Sequence, residues 1–184
     1  MKNAIGIKVV KSPERYDLGA SKFFGDPTVP SEWENKFYNT EMFFCQIRLS
    51  DIAELDTENI LPHTGYLYVF LDTESYPYEA RVLYYDGEPD MVLDDFNADV
   101  TDAEHLTKGW LMNFEAAEAD AEGIKLFGMP ADWPYGDEPP KLLMQYDPLA
   151  SGMGFRDSID GFAYLAFAEG SDSLEDITYF EERS

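Results

Sequence analysis

The acidic stretch near the middle of the chain is the first place to look for metal chemistry. Asp95, Asn97 and Asp99 have the D-x-N-x-D spacing with which a calcium-binding loop begins. Such a loop also needs a glycine at its sixth position and a bidentate glutamate at its twelfth, where this chain has Val100 and Leu106. We therefore predict a solvated acidic loop, with weak cation binding by the three side chains as the alternative.

Residues suited to nucleophilic or acid–base catalysis are scarce. The two histidines, His63 and His105, occupy unrelated positions, and the single cysteine, Cys45, lies in an apolar run where thiols are usually inert. The sequence contains no G-x-S-x-G, H-E-x-x-H or C-x-x-C motif. We predict no catalytic residues and no cofactor, and we favour a protein that is not an enzyme.

The charge balance of the chain argues against some partners. Thirteen lysines and arginines stand against 37 aspartates and glutamates, which gives a net charge of −24 over 184 residues. Nucleic acids and anionic membranes are bound by basic surfaces, so we expect neither as a partner. No run approaches the roughly 20 apolar residues that cross a bilayer. One cysteine fits a reducing compartment, and we predict a cytoplasmic protein whose charge serves solubility or attracts a basic protein.

The sequence carries the same landmarks twice in the same order, which indicates an internal duplication. The landmarks are, in order, a Lys-x-Phe-Gly-x-Pro stretch, a glutamine in an apolar run, a glycine-led aromatic run and a last apolar run. In the first half they occupy 22–27, 43–47, 65–70 and 80–85, and in the second half 125–130, 142–146, 161–167 and 176–180. We predict a single domain, 1–184. Its half-repeats, about 4–90 and about 108–184, are joined by an acidic seam at about 86–107.

The apolar runs predict strands because they are short, aromatic or β-branched, and bounded by Gly, Pro, Asp or Ser. The predicted strands are 5–10, 43–49, 66–71, 81–85, 110–114, 142–146, 162–168 and 176–180. The strand at 66–71 is apolar on both faces and should be covered on both sides. Helical signals are a turn capped by Ser50 and a short helix from Thr101 to Lys108. We predict an α+β fold of mainly antiparallel sheets, with few short helices and two halves related by a pseudo-twofold.

Two polar residues recur at matching positions of the halves. Gln46 and Gln145 lie within apolar strands, where each side-chain amide must find hydrogen-bond partners. We expect each to bind the backbone of the Gly-x-Pro loop in its own half; the alternative is that both face a shared cleft and bind a peptide or small ligand. Lys22 and Lys125 are expected to form surface ion pairs, or else to mark an anion-binding site.

Aromatic residues follow both Gly-x-Pro loops. Trp33, Trp133 and Tyr135 are therefore candidates for an interaction surface. Large aromatic residues near the end of a sheet more often close the core against water, and that is the other interpretation of these three.

The repeated landmarks resemble those of the YwqG-like family of bacterial proteins of unknown function (the DUF1963 domain). The family's S-K-[FL]-G-G-x-P, F-x-x-Q-[IL]-x-L and G-x-L-x-F-F motifs look like 21–27, 43–49 and 65–70, with Phe24 replacing the first glycine. Its second-half motifs look like 125–130, 142–147 and 161–165, whereas its W-G-D turn is altered here at 155–157. The resemblance implies a shared duplicated fold and no particular activity.

The charge, the paired aromatic loops and the missing catalytic motifs favour one class of function. We expect a non-enzymatic interaction protein with a basic protein partner, for example a toxin domain that an acidic immunity-like protein would neutralise. The alternative is a small-ligand or cation-dependent enzyme with its site between the two halves.

Overall fold

Short aromatic and β-branched runs fold into strands along most of the chain. The structure is a computed structural model, and it describes residues 3–13, 17–100, 103–133 and 135–182. The strands are, in chain order, β1 Asn3–Lys11, β2 Lys22–Phe23, β3 Thr28–Val29, β4 Glu41–Arg48, β5 Tyr66–Asp72, β6 Glu79–Tyr85, β7 Met91–Val92, β8 Trp110–Glu118, β9 Ile124–Phe127, β10 Leu142–Tyr146, β11 Ala163–Phe167 and β12 Ile177–Glu181.

Helical structure is short throughout the described residues. The helix α1, Pro148–Ser151, starts where the carboxylate of Asp147 accepts a hydrogen bond from the N–H of Ala150, and it ends at Gly152 in the left-handed region. The 3-10 turns are Ser31–Trp33, Leu49–Asp51, Phe96–Asp99, Glu104–Leu106 and Leu174–Asp176. No helix in these ranges is long and apolar enough to cross a membrane. The prediction of a mainly antiparallel β structure with few short helices is confirmed.

The chain divides into two compact units, and the division falls within β1 and within β8. We call Val9–Met112 the central unit, and Met1–Lys8 together with Asn113–Ser184 the terminal unit. In the central unit the antiparallel strand order is β8-β2-β4-β5-β6, and β3 and β7 form a separate two-stranded sheet. In the terminal unit the antiparallel order is β1-β9-β10-β11-β12.

The core of the central unit is built on β5. This strand lies between β4 and β6, and its residues 66–71 are all buried, as its two apolar faces predicted. One core cluster consists of Val29, Trp33, Phe43, Tyr66, Tyr68 and Phe70. Each large aromatic side chain that is removed from water there stabilises the fold by about 2–3 kcal/mol.

Most local predictions agree with the structure, and two need correction. All eight predicted strands are present, and β8 continues to Glu118. The expected cap at Ser50 is wrong, because the 3-10 turn begins one residue earlier, at Leu49, and its preceding residue makes no side-chain cap. Thr101, the expected cap of the second helix, lies outside the described residues; the helical structure that follows is only the turn Glu104–Leu106.

A tight left-handed turn follows β9. Phe127 and Gly128 have φ values of 64° and 75°, and the N–H of Met129 donates to the carbonyl of Ala119 at 2.9 Å. A Cβ atom at Gly128 would lie 2.3 Å from that carbonyl oxygen. Glycine is therefore required at this position by the close approach of the backbone as well as by φ.

This turn predicts a large effect of Gly128→Ala. The substitution should lower the free energy of unfolding by about 3 kcal/mol or more, because left-handed strain and a backbone clash add together. Gly123→Ala is the matched control, since Gly123 has a φ of 83° but a Cβ atom added there would have no neighbour within 4 Å. It should lower the free energy of unfolding by only about 1 kcal/mol, as measured by urea denaturation. Equal losses in the two variants would contradict this account.

Candidate functional site

Gln46 lies on β4 with its side chain completely buried. Its Nε2 donates to the carbonyls of Leu18 and Ala20 at 3.1 and 3.0 Å, and its Oε1 accepts from the N–H of Thr28 at 3.0 Å. Both N–H donors and the carbonyl oxygen of the Gln46 amide therefore bond backbone groups of the central unit. The loop after β2 could not satisfy these backbone groups by itself.

Gln145 on β10 makes the same set of contacts in the terminal unit. Its Nε2 donates to the carbonyls of Ala121 and Gly123 at 3.2 and 2.8 Å, and its Oε1 accepts from the N–H of Ala131 at 2.9 Å. In both units the two carbonyls lie four and two residues before the matched lysine, and the N–H lies six residues after it. Each glutamine thus supports the loop of its own unit.

The two matched lysines are buried rather than exposed. Lys125 is 0% exposed, and its Nζ donates to the carbonyls of Ala119, Ala121 and Met129 at 2.9, 2.7 and 2.8 Å. These three acceptors use all three donors of the ammonium group, which leaves none for an anion. Lys22 is 1% exposed and donates to the carbonyl of Asp26 at 2.6 Å.

Burial changes the protonation of both lysines. Removal from water lowers the pKa of Lys125 to about 8, against a smaller opposing effect of the negative charge of Asp120. The pKa of Lys22 is lowered to about 8 for the same reason, opposed by Asp26. Between pH 8 and the pKa of about 10.4 of an unfolded lysine, the unfolded chain holds more protons than the folded chain. The contribution of each lysine to stability therefore increases as the pH rises through this window.

Removal of the Lys125 ammonium should destabilise the protein and change its pH dependence. Lys125→Met leaves three partly buried carbonyls without their donor, and we expect it to lower the free energy of unfolding by about 3 kcal/mol at pH 7.5. The wild type should also gain about 2 kcal/mol more than Lys125→Met when the pH rises from 8 to 10.

Lys8→Met is the control, because Lys8 is exposed and pairs with Glu115 at the surface. Urea denaturation at pH 7.5, 8, 9 and 10 measures all three proteins. A Lys125→Met protein with the stability and pH profile of Lys8→Met would show that the three carbonyl contacts do not stabilise the fold.

The aromatic candidates lie in different environments. Trp33 is 7% exposed and packs edge-on against Tyr68 and Tyr85 in the central core, so it offers little surface to a partner. Trp133 is half-buried and lies edge-on to Tyr135 at 4.9 Å, and Tyr135 is 58% exposed. Of these three candidates, only Trp133 and Tyr135 present aromatic surface to solvent.

Asn97, one of the three candidate ligands for weak cation binding, bonds the backbone instead. Asn97 is buried, and its side-chain amide bonds both the N–H and the carbonyl of Phe43 and also the carbonyl of Leu106. Asp95 is exposed, with a left-handed φ of 59°, and the side chain of Asp99 lies outside what the structure describes. Among the described residues no group of three or more His, Cys, Asp or Glu side chains is arranged to hold a metal ion.

A cleft in the central unit brings the acidic seam together with the loop before β4. The cleft has a volume of about 630 Å³, and we call it the aromatic cleft. It is lined by Glu34, Phe37, Tyr38, Asn39, Glu41, Met91, Val92, Leu93, Asp94, Phe96 and Val100. The rings of Phe37 and Phe96 meet edge-on at 5.4 Å, and Tyr38 is 70% exposed.

A partly buried ion pair fixes one wall of the aromatic cleft. Arg81 on β6 donates from Nε and Nη2 to the two carboxylate oxygens of Glu41 at 2.6 and 2.5 Å. The guanidinium also lies over the rings of Phe37 and Tyr38, 5.5 Å from each centroid. Glu41 in turn accepts from the N–H of Tyr38 at 2.8 Å. These contacts hold both rings in place by charge-assisted hydrogen bonds and cation–π attraction.

The rim of the aromatic cleft is acidic. Glu34 and Asp94 are exposed, and neither has an ion-pair partner within the described ranges. Beside the cleft, burial and then the negative charge of Asp94 raise the pKa of Asp26 above its ordinary value. No sequence motif marks this site, because its residues come from two stretches about fifty positions apart.

No protein-family profile matches this chain, and no curated protein is significantly similar to it. The resemblance to the YwqG-like family therefore rests on the motifs quoted above.

Proposed function

We propose that this chain is a non-enzymatic cytoplasmic protein that binds a basic protein partner through the aromatic cleft. The observation that carries the proposal is the combination of an aromatic floor with an acidic rim in one cleft of about 630 Å³. Such a site attracts cationic side chains by charge and holds their alkyl and guanidinium groups against ring faces. An inhibitor of a basic toxin domain is one protein of this kind.

The cations near the aromatic cleft support this assignment because they already have partners. Arg81 is bound to Glu41, and the Nζ of Lys36 lies over the ring of Trp33 at 4.3 Å. The carboxylates of Glu34 and Asp94 thus face solvent without local neutralisation in a chain of net charge −24. A basic partner would supply the missing positive charge and would be attracted over long range at low salt.

We also propose that the two units descend from a duplication, as in the fold implied by the YwqG-like resemblance. The equivalent contacts of Gln46 and Gln145 support this proposal, and so do the matched left-handed pairs Phe24-Gly25 and Phe127-Gly128. The cleft-forming segment Met91–Phe96 lies in the acidic seam, which has no counterpart in the second half of the sequence. One side of the proposed binding site therefore belongs to the part of the chain that the duplication does not share, and the other side, at 34–41, belongs to the first half-repeat.

Binding of a simple basic peptide tests the proposed function. The probe is a fluorescein-labelled octapeptide of alternating lysine and valine, followed by fluorescence anisotropy at increasing salt. We expect salt-sensitive binding that weakens about fivefold in the double variant Glu34→Gln/Asp94→Asn, because two partly exposed charge pairs are lost.

The control variant is Glu118→Gln/Glu122→Gln, which removes the same charge from exposed positions of the terminal unit. It should bind the peptide as the wild type does, and an octapeptide of alternating glutamate and valine should not bind at all. The proposal fails if the basic peptide does not bind, or if the control variant weakens binding as much as the cleft variant.

A further inference from the structure

The small sheet beside the aromatic cleft consists of two strands, and the outer edge of β7 pairs with no further strand of the described residues. β3 and β7 pair antiparallel, with Thr28 opposite Val92 and Val29 opposite Met91. The N–H of Leu93 donates to the carbonyl of Pro27 at 3.0 Å, on the β3 side. Among the described residues no strand pairs with the other side of β7.

In an antiparallel ladder, hydrogen-bonded pairs of residues alternate with pairs that are not hydrogen-bonded, and this alternation determines the direction of the N–H and C=O of Val92. Since Leu93 bonds across to Pro27, Val92 and Thr28 form a pair without mutual hydrogen bonds, and their N–H and C=O groups point away from each other. Thr28 agrees with this geometry, because its N–H donates outward to Oε1 of Gln46. The N–H and C=O of Val92 therefore point to the free edge of β7.

The residues of β7 and the two that follow it line the aromatic cleft. Met91, Val92, Leu93 and Asp94 all line it, and Met91 and Leu93 also pack on the core cluster of the central unit. Their packing anchors β7 from one face, while Val92 is only half-buried and its outward groups can reach a partner. A short strand with an open edge is a template for a further strand.

We infer that the basic partner enters the aromatic cleft as an extended segment and adds a strand to the free edge of β7. The inference rests on the proposed function and names the form of the occupant. One residue of the segment exchanges two backbone hydrogen bonds with Val92, as in strand addition to a sheet edge. Alternate side chains then reach the acidic rim, and the carboxylates of Glu34 and Asp94 select lysine or arginine there.

Removal of the outward donor tests this geometry. Val92→Pro deletes the N–H that does not belong to the β3–β7 ladder, and proline is tolerated at a strand edge whose N–H faces solvent. Val92→Thr keeps the N–H and reports the effect of changing the side chain. With the lysine–valine octapeptide as probe, we expect Val92→Pro to bind at least fivefold more weakly than Val92→Thr, with similar thermal unfolding of the two variants.

A second measurement uses the wild-type protein and does not depend on how a variant folds. The same octapeptide with every backbone nitrogen methylated keeps its charge and loses all its backbone donors. We expect it to bind at least fivefold more weakly than the unmodified peptide.

The outcomes separate the strand geometry from the function. If both peptides bind wild type equally, and Val92→Pro binds like Val92→Thr while cleft charge variants still weaken binding, strand addition is wrong and the proposed function stands. If no basic peptide binds wild type, the function and the inference both fail. Selective loss with Val92→Pro and with the methylated peptide supports strand addition.

Discussion

The structure depends on the rule that a buried backbone group must have a hydrogen-bond partner. In each unit, the chain leaves a strand, turns through a left-handed pair and runs on as a loop. A glutamine from the neighbouring strand bonds backbone groups before the strand and after the turn, and a lysine from the strand itself bonds a carbonyl of the turn. These side chains supply the hydrogen bonds that water or a strand ladder would supply elsewhere. The loops can therefore be held close against the sheets.

This arrangement also explains why charged and polar residues occupy the most buried positions of an acidic chain. A lysine ammonium bound by three carbonyls keeps its hydrogen bonds but loses hydration, and its pKa falls accordingly. The residues most suggestive of binding in the sequence are therefore internal supports. The proposed binding surface is formed in part by the acidic seam, which is attached to the central unit through Asn97 and the β3–β7 pair.

The strands and the role of the glutamines could be predicted because both follow from local patterns. An aromatic run bounded by turn residues folds as a strand, and a glutamine inside such a run has to bond its neighbours. The burial of Lys22 and Lys125 could not be predicted in the same way, because lysine is normally exposed and the acceptors that the two ammonium groups bond here are backbone carbonyls without a sequence signal. The recurrence of the two lysines was the one hint that they have a structural role.

The aromatic cleft could not be predicted because it depends on contacts between distant positions. Arg81 joins Glu41 across forty residues, and the seam residues that face Phe37 are held by β7, a strand of two residues that is too short to show a periodic pattern. Asn97 had the spacing of a cation ligand, yet its amide is occupied by the backbone of Phe43. Spacing alone does not reveal which of these polar groups are engaged.

The most direct test of the account is a titration of isotope-labelled protein with the lysine–valine octapeptide, followed by the amide signals in NMR spectra. The account predicts that backbone signals of 34–39 and 91–96 shift with peptide concentration. The side-chain amide signals of Gln46 and Gln145 should stay in place, because both groups are bonded internally. Shifts confined to Trp133 and Tyr135, or movement of the two glutamine amides without the cleft signals, would contradict it.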